Sequence, residues 1–210
     1  MKLKTPLYQK WATMATFSLS VSLASATTVI SGWTVIDDSY TDDASGTFAI
    51  TSAGATTQTT PTQAFADTQK FSATAAVDWT ATWTFLGLTN GTYEVAGAWY
   101  GTTNRTKTAP FKVQGGSTIV VNQELSPGHP SLPAGPTLSD GTENVVFSML
   151  TATAVVTDGT LTVVLNDVDN TSGSEYVLAD AIAIRAVPEP SSAALLGLGG
   201  LALILRRRKG

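Results

Sequence analysis

Few side chains in this chain can carry chemistry, and most of them are carboxylates. Asp37-Asp38 and Asp42-Asp43 lie near the N-terminal end, and a later stretch, residues 166–170, reads NDVDN. Carboxylate and amide oxygens are the ligands that hard cations such as Ca²⁺ prefer. Asp167 and Asp169 have the spacing of calcium-loop ligands, although the glycine that should follow falls one place late. Asx side chains also close turns on their own backbone, so structural calcium and turn formation both stay open.

Groups for acid–base or nucleophilic catalysis are scarce. His129 is the single histidine, it lies in a proline-rich stretch, and the chain has no cysteine. A catalytic triad needs partners that orient the imidazole, so His129 is interpreted as a surface residue. No nucleophile elbow, phosphate-binding loop or dinucleotide fingerprint is present. We therefore expect a protein that is not an enzyme and has no cofactor other than structural calcium.

Aromatic residues offer a second kind of chemistry, because flat rings can pack against the apolar face of a sugar. Four tryptophans lie in strand-like runs: Trp33, Trp79, Trp83 and Trp99. Tryptophans that alternate along strands are typical of a core. Tyr100 directly follows Trp99, so one of the two must point away from the core. Tyr100, together with Tyr40 and Arg105, is therefore the predicted glycan contact.

Alternating patterns predict the elements that must position these residues. In Asp78–Phe85 (DWTATWTF) aromatic and alanine positions alternate with threonines, as in a half-buried strand. Asn90-Gly91 follows and favours a tight hairpin turn, with Thr92–Tyr100 as the returning strand. Gly115-Gly116 and Asp158-Gly159 predict two further hairpins.

Similar patterns predict strands elsewhere in the chain. These are Trp33–Ile36, Gly46–Thr51, Phe111–Gln114, Ser117–Val121, Asn144–Thr151, Thr160–Leu165 and Tyr176–Arg185. Thr51–Thr62 and the proline-rich Ser126–Pro136 are predicted to be loops. Many short strands separated by turns indicate an all-β fold, an antiparallel β-sandwich of jelly-roll-like or immunoglobulin-like type.

The two ends of the chain have the character of processing segments. Residues 1–26 are predicted to be a signal peptide that signal peptidase removes. The prediction rests on lysines within the first ten residues, the apolar run Trp11–Leu23 and the small residues Ala24-Ser25-Ala26. The body, residues 27–187, then has a single-domain length. It carries five basic and fifteen acidic residues. Nucleic acid is excluded as a partner, because binding phosphates requires clustered Lys and Arg.

The C-terminal segment, residues 188–210, has three parts in a fixed order. They are the motif Val187, Pro188, Glu189 and Pro190, the apolar run Ser191–Leu205, and the basic cluster Arg206, Arg207, Arg208 and Lys209. A helix over the apolar run would span about 22 Å, against about 30 Å of hydrocarbon. A short transmembrane helix of this length is expected to hold the protein at the inner membrane only transiently.

This order of parts resembles the PEP-CTERM sorting signal of exopolysaccharide-producing Gram-negative bacteria. The resemblance implies export, recognition by an exosortase and cleavage near the Pro-Glu-Pro motif. The expected location is the cell surface or extracellular matrix. The resemblance of the tail implies no activity for the body, residues 27–187.

The body is similar to the golvesin or xanthan-lyase carbohydrate-binding-like domain. The matching pieces are Val35–Asp38, Ala81–Thr84, Gly91–Val95, Asn104-Arg105, Ala109–Val113, Val120–Gln123 and Val177–Ile182. The resemblance implies a β-sandwich that binds glycans and has no catalytic residues. The chain departs from the pattern at Thr51–Val77 and at Ser126–Gly141, so binding near those segments is open to change. Arg105 and Asp180 match motif positions, where they serve either in binding or as an internal ion pair.

Three functions follow for comparison. The first is an exported, non-catalytic surface or matrix protein that binds extracellular polysaccharide. The second is a structural or adhesive surface protein with no sugar site. The third, a polysaccharide-degrading enzyme, needs an acid–base pair within reach of a cleft, and the sequence shows none.

Overall fold

A computed structural model of the chain describes residues 28–30, 32–39, 44–51, 55–59, 64–73, 79–166 and 175–189. The predicted signal peptide, Tyr40, the predicted calcium ligands Asp167 and Asp169, and the tail from Pro190 onward lie outside the described residues.

The described residues form fourteen strands and one 3-10 turn at Phe65–Asp67. The strands are β1 (Thr28–Ile30), β2 (Trp33–Ile36), β3 (Gly46–Thr51), β4 (Ala55–Thr59), β5 (Thr68–Ala73), β6 (Thr80–Phe85), β7 (Gly91–Gly97), β8 (Ala109–Val113), β9 (Thr118–Val121), β10 (Ala134–Ser139), β11 (Asn144–Val156), β12 (Leu161–Asn166), β13 (Tyr176–Ala179) and β14 (Ile182–Ala186).

These strands build three antiparallel sheets. The six-stranded sheet has the order β1-β2-β14-β7-β11-β10, and the five-stranded sheet has the order β3-β6-β12-β8-β9. A small third sheet has the order β13-β5-β4. The prediction of an all-β fold made of antiparallel sheets is confirmed; the third sheet was not predicted.

The main core lies between the two larger sheets and is built by period-two alternation. Trp79, Ala81, Trp83 and Phe85 are all buried, while the threonines between them are half-buried. The facing strand β7 contributes Tyr93 and Val95 to the same cluster. Each large apolar side chain removed from water stabilises the fold by about 1.5–3 kcal/mol. The prediction that the four strand tryptophans belong to the core is confirmed, since each is at most 3% exposed.

A second apolar cluster includes other strand residues of the six-stranded sheet. Trp33 and Phe147 contribute to it, and Phe65 from the 3-10 turn packs edge-on against Phe147 with ring centroids 5.9 Å apart. Arg185 stacks over the Trp33 ring at 4.6 Å. The contact between Phe65 and Phe147 holds the 3-10 turn to this sheet.

Two of the three predicted hairpins are wrong. β6 and β7 lie in different sheets, and so do β11 and β12, so Asn90-Gly91 and Asp158-Gly159 belong to connections that cross between sheets. The two connections run side by side, with the Leu88 N–H bonded to the Gly159 carbonyl at 2.9 Å. Strands that face one core from opposite sides cannot also pair with each other. The hairpin at Gly115-Gly116 is confirmed, with β8 paired to β9 and Gly115 at a φ of 69°.

Three predicted boundaries also need correction. Thr51–Thr62 is not entirely loop, because Ala55–Thr59 forms β4, whose largely exposed side chains leave no apolar alternation to detect. The proline-rich loop gives way at Ala134 to the edge strand β10, whose register shifts beside Pro136. The run predicted as one strand over Tyr176–Arg185 divides into β13 and β14, which lie in different sheets.

Gln123 joins the main sandwich to the small sheet. Its side chain is fully buried, its amide nitrogen donates to the Leu178 carbonyl at 2.8 Å, and its amide oxygen accepts from the Leu178 N–H at 2.9 Å. The side-chain amide thus takes the place of a neighbouring strand for β13. Both backbone groups of Leu178 would otherwise be buried without a partner, which is costly.

We predict that Gln123→Leu lowers the free energy of unfolding by about 2–4 kcal/mol, because it leaves two buried backbone groups unpaired at about 1–3 kcal/mol each. Chemical denaturation followed by tryptophan fluorescence measures this. The neighbouring Asn122→Ala, which removes one local bond to the Glu124 N–H, serves as the control and should cost less than half as much. Equal losses in the two variants would contradict the role assigned to Gln123.

Candidate functional site

Strand β5 separates two polar clusters. Successive side chains of a strand point to opposite faces. Thr68 and Lys70 contact Asp38, whereas Gln69 bonds to the Tyr100 backbone and Phe71 packs on Tyr176. The two clusters are called here the carboxylate cluster (Asp37, Asp38 and Asp180) and the arginine cluster (Tyr100, Arg105 and Tyr176).

The carboxylate cluster is buried. Oxygens of Asp37, Asp38 and Asp180 all lie within 4.8 Å of one another, and the three residues are 8%, 3% and 1% exposed. Asp37 and Asp38 directly follow β2, and Asp180 lies between β13 and β14. The pairing of β2 with β14 sets Ile36 opposite Ile182, and this register, continued by two residues, brings Asp38 opposite Asp180.

Hydrogen bonds hold most of these oxygens in place. Both oxygens of Asp180 accept from the Phe65 N–H, at 3.2 and 3.1 Å, while its backbone carbonyl accepts from the Trp83 indole at 3.1 Å. Asp38 accepts from the Thr68 hydroxyl at 2.8 Å and lies 3.4 Å from the Lys70 ammonium. Asp37 shares neither of these sets of partners and is bonded to Ser39 instead.

Asp37 accepts through Oδ2 from the backbone and hydroxyl of Ser39, but its buried Oδ1 has no hydrogen-bond partner. Asp38 Oδ2 likewise accepts no hydrogen bond, and its only cationic neighbour among the described residues is Lys70. A buried carboxylate oxygen without a donor is costly, so the arrangement calls for a proton or a cation.

Burial dominates the electrostatics of the carboxylate cluster. It raises the pKa of Asp37 to about 7, with the neighbouring Asp38 adding to the effect. Burial also raises the pKa of Asp38, although Thr68 and Lys70 act in the opposite direction. For Asp180, burial and then the charges of Asp37 and Asp38 raise the pKa well above its usual value. Chemically, the cluster can take up protons or supply carboxylate ligands to a hard cation.

A pH dependence of stability follows from these shifts. A carboxyl with a raised folded-state pKa holds its proton in the folded state while the unfolded chain has lost it, so stability falls as pH rises between about 4 and 7. We predict that, in buffer containing a chelator, the chain is more stable at pH 5 than at pH 8. Asp37→Asn should flatten this slope. Thermal melts at several pH values test it, and stability rising steadily from pH 5 to pH 8 would contradict it.

The arginine cluster contains a buried cation without an acidic partner. Arg105 is 5% exposed, its guanidinium lies over the Tyr176 ring at 5.6 Å, and Nη2 donates to the Gln58 side chain at 3.1 Å. Its Nε has no hydrogen-bond partner, and no carboxylate of a described residue lies within 4 Å of the guanidinium. The side-chain amide of Gln69 donates to Gln58, which also accepts from Arg105, and it accepts from the Tyr100 N–H. Gln69 thus links Tyr100 to Arg105 within the cluster.

Burial lowers the pKa of Arg105, while the nearby hydroxyls of Tyr100 and Tyr176 act in the opposite direction. A guanidinium stays charged at neutral pH even so. Tyr100 and Tyr176 are half-buried, so each keeps part of its surface exposed. The cluster can therefore combine two partly exposed tyrosines with one positive charge that no described carboxylate pairs.

The sequence predictions meet mixed outcomes at these sites. Arg105 is buried, with its guanidinium over the Tyr176 ring, so it is not an exposed contact, and the assignment of Tyr100 and Arg105 to glycan binding stays a prediction. The alternative of an Arg105–Asp180 ion pair is wrong, since Asp180 bonds to Phe65 instead. His129 is exposed and accepts through Nδ1 from the Ser131 N–H, so its interpretation as a surface residue is confirmed.

Sequence reasoning missed both the carboxylate cluster and Tyr176. Asp37-Asp38 attracted attention as a pair of acids, but nothing local linked them to Asp180. The available signal was weak: Asp37 directly follows the apolar strand end Ile36, and Asp180 lies two residues before the apolar Ile182, where a solvated charge is not expected. Tyr176 sits at a strand start with no distinguishing pattern.

Two surface grooves of about 400 and 440 Å³ flank β9 and β11. The first is lined by Lys107, Val120 and Leu132 among others, and the second by residues that include Gln114 and Thr153. Neither wall contains a carboxylate or an imidazole among the described residues.

Comparison with known proteins bears on the tail and on the fold. A protein-family profile described as the PEP-CTERM protein-sorting motif matches residues 186–209, which confirms the predicted sorting signal. Among solved structures, a xanthan lyase from Paenibacillus matches with a TM-score of 0.50 and 24% identity. The match covers 77% of this chain but 14% of the lyase chain, so it concerns the fold alone. Curated protein sequences give no match.

Within the described part of the chain, no helix has the length and apolar character needed to cross a membrane. The predicted transmembrane helix over Ser191–Leu205 lies outside that part, as do Pro190 and the basic cluster from Arg206 to Lys209.

The unpaired Arg105 generates a prediction on stability. Replacing a buried charge by an apolar side chain of similar length is often neutral or stabilising, because the desolvation cost disappears. We predict that Arg105→Met changes the free energy of unfolding by less than about 1 kcal/mol, or raises it. A loss above about 3 kcal/mol in chemical denaturation would show that Arg105 serves the fold instead.

Proposed function

We propose that the chain is an exported, non-catalytic surface or extracellular-matrix protein whose sandwich binds polysaccharide at the arginine cluster. The PEP-CTERM motif at residues 186–209 marks it as a sorted surface protein of the kind processed by exosortases. Glycan binding rests on one observation above all: Arg105 is buried, has no carboxylate partner in the part of the chain that the structure describes, and lies beside two half-exposed tyrosines.

The junction between body and tail suits delivery by cleavage. The Val187 N–H bonds to the Thr92 carbonyl at 2.8 Å, continuing the line of β14 along β7. Pro188 and Glu189 follow and are exposed. A protease can therefore reach Pro188 and Glu189 without unfolding the sandwich. Proline also disfavours helix at the residue before it, so Val187 and Glu189 favour extended backbone.

We predict that protein recovered from the surface of the producing bacterium lacks residues 206–210. Mass spectrometry of the C-terminal peptide measures this. Replacing Pro188, Glu189 and Pro190 together by alanine should leave the full tail in place and retain the protein in the inner membrane. An intact Arg206–Gly210 in the surface-exposed wild type would contradict cleavage.

The chemistry of the arginine cluster suggests the kind of glycan. Tyrosine rings pack against the apolar face of a sugar ring, while an arginine fork matches the geometry of a carboxylate. Since no acid among the described residues pairs with Arg105, an acidic sugar would supply the missing anion. The likeness to a xanthan lyase supports a polysaccharide partner by fold alone.

Binding can be tested with the full-length chain in mild detergent, applied to immobilised acidic and neutral polysaccharides. We expect retention on acidic polysaccharide, and at least a tenfold loss of affinity in Arg105→Met and Tyr100→Ala. Arg185→Met is the matched control, because Arg185 also stacks on an aromatic ring but is exposed and paired with Glu94. Absence of wild-type retention on every polysaccharide tried, with and without calcium, would remove the glycan-binding proposal.

A structural or adhesive surface protein without a sugar site is the second candidate. The burial of Arg105 favours it, since a 5% exposed side chain offers little surface to a ligand. The non-catalytic part of the proposal is common to both candidates. Release of reducing ends from a polysaccharide by the purified chain would overturn it.

A further inference from the structure

We propose that Asp37, Asp38 and Asp180 bind one hard divalent cation, calcium in the exported protein. Sequence patterns predicted calcium ligands separately at Asp37-Asp38 and at Asp167 and Asp169, whereas this site joins the first pair to Asp180, more than 140 positions away in the chain. The proposal rests on four features of the cluster: its charge, its unpartnered oxygens, its ligand chemistry and its position.

Charge is the first feature. Ionised, the three carboxylates carry three negative charges within 4.8 Å of one another. The one cationic side chain of a described residue that reaches them is Lys70, 3.4 Å from Asp38. Two negative charges therefore remain, buried beneath β5, and a divalent cation would neutralise them. Protonation is the alternative way to remove this excess charge.

Unpartnered oxygens are the second feature. Asp37 is more than nine-tenths buried, and its Oδ1 accepts no hydrogen bond. Asp38 Oδ2 also lacks a hydrogen-bond donor, with the Lys70 contact at 3.4 Å. Asp180, in contrast, is held on both oxygens by the Phe65 N–H. The cluster thus combines Asp180, whose two oxygens share one donor, with one donor-free oxygen on each of Asp37 and Asp38, of which only the Asp38 oxygen meets a cation, Lys70.

Ligand chemistry selects the class of ion. The cluster contains carboxylates, and the adjacent side chains of Ser39 and Thr68 are hydroxyls. Zinc and copper sites generally use imidazole or thiolate ligands, while all-oxygen sites suit calcium and magnesium. Calcium tolerates irregular geometry, whereas magnesium requires a near-ideal octahedron and dehydrates reluctantly. Three buried carboxylates drawn from two chain segments favour calcium.

The position explains what the ion would do. Asp37 and Asp38 end β2 of the six-stranded sheet, and Asp180 joins β13 of the small sheet to β14. An ion bound to all three would hold the small sheet against the sandwich. Extracellular calcium modules have dissociation constants of about 10⁻⁴–10⁻³ M. The choice of calcium over magnesium draws on the proposed export, but the site itself does not.

Thermal unfolding of the full-length chain in detergent, stripped with EDTA and titrated with calcium chloride, tests the proposal. At calcium hundredfold above its dissociation constant we expect the midpoint to rise by about 5–10 °C. Magnesium chloride at equal concentration should give less than half this rise. In equilibrium dialysis with radioactive calcium, we expect the wild type to bind an ion and variants of the carboxylate cluster to lose that binding.

Variants separate this site from other sources of calcium binding. Asp37→Asn should abolish the calcium-dependent rise, whereas Lys70→Met should tighten calcium binding several-fold, because it removes a competing positive charge. Asp158→Asn, which alters an exposed carboxylate that accepts from the Thr160 N–H outside the cluster, is the control and should retain the full response. Opposite effects of Asp37→Asn and Lys70→Met are not expected from a general loss of stability.

Several outcomes would overturn the proposal. These are an unchanged wild-type midpoint at 10 mM calcium, weaker calcium binding in Lys70→Met, or a calcium response that is lost in Asp167→Asn/Asp169→Asn and kept in Asp37→Asn. Should Asp37→Asn fail to fold, dialysis of the wild type against Lys70→Met still decides. Glycan retention does not enter these readouts, so the proposed function and the ion site fail independently.

Discussion

Asp180 places a carboxylate, 1% exposed, at the point where the three sheets meet. A buried carboxylate is tolerated only when donors, protons or cations replace the water it has lost. Here the Phe65 N–H supplies a donor from the 3-10 turn, and the Trp83 indole holds the backbone of the same residue from the five-stranded sheet. The second apolar cluster, the main core and the small sheet therefore all depend on how the carboxylate of Asp180 is hydrogen-bonded or neutralised.

Strand β5 extends this dependence to the second cluster. Its Lys70 lies against the carboxylates, while its Gln69 bonds to the Tyr100 backbone and to Gln58, which in turn accepts from Arg105. Movement of β5 would therefore disturb an unneutralised group of acids and an unpaired arginine together. Each cluster contains charged groups that the described residues leave incompletely paired, and such positions are where external ligands can gain binding energy.

Much of the fold could be predicted because alternation is a local property. The DWTATWTF run places its aromatic side chains on one face whatever its neighbours are, so the burial of Trp79 and Trp83 could be predicted from the sequence. The strands that pair with this run could not be predicted from local sequence. Asn90-Gly91 is suited to a hairpin, yet β6 and β7 each had better partners within their own sheets. The Gly115-Gly116 hairpin was correctly predicted because its two strands follow each other in one sheet.

By itself, the sequence determined most of the strand-forming segments, the buried tryptophans and the sorting signal of the tail, since each depends on residues close together in the chain. The tertiary structure alone decided that Asp37, Asp38 and Asp180 share a site and that Arg105 lies buried beside Tyr176. The first follows from the register of β2 against β14, across about 145 residues of intervening chain. Such a register is set by the packing of whole sheets, because only that packing determines which apolar faces meet.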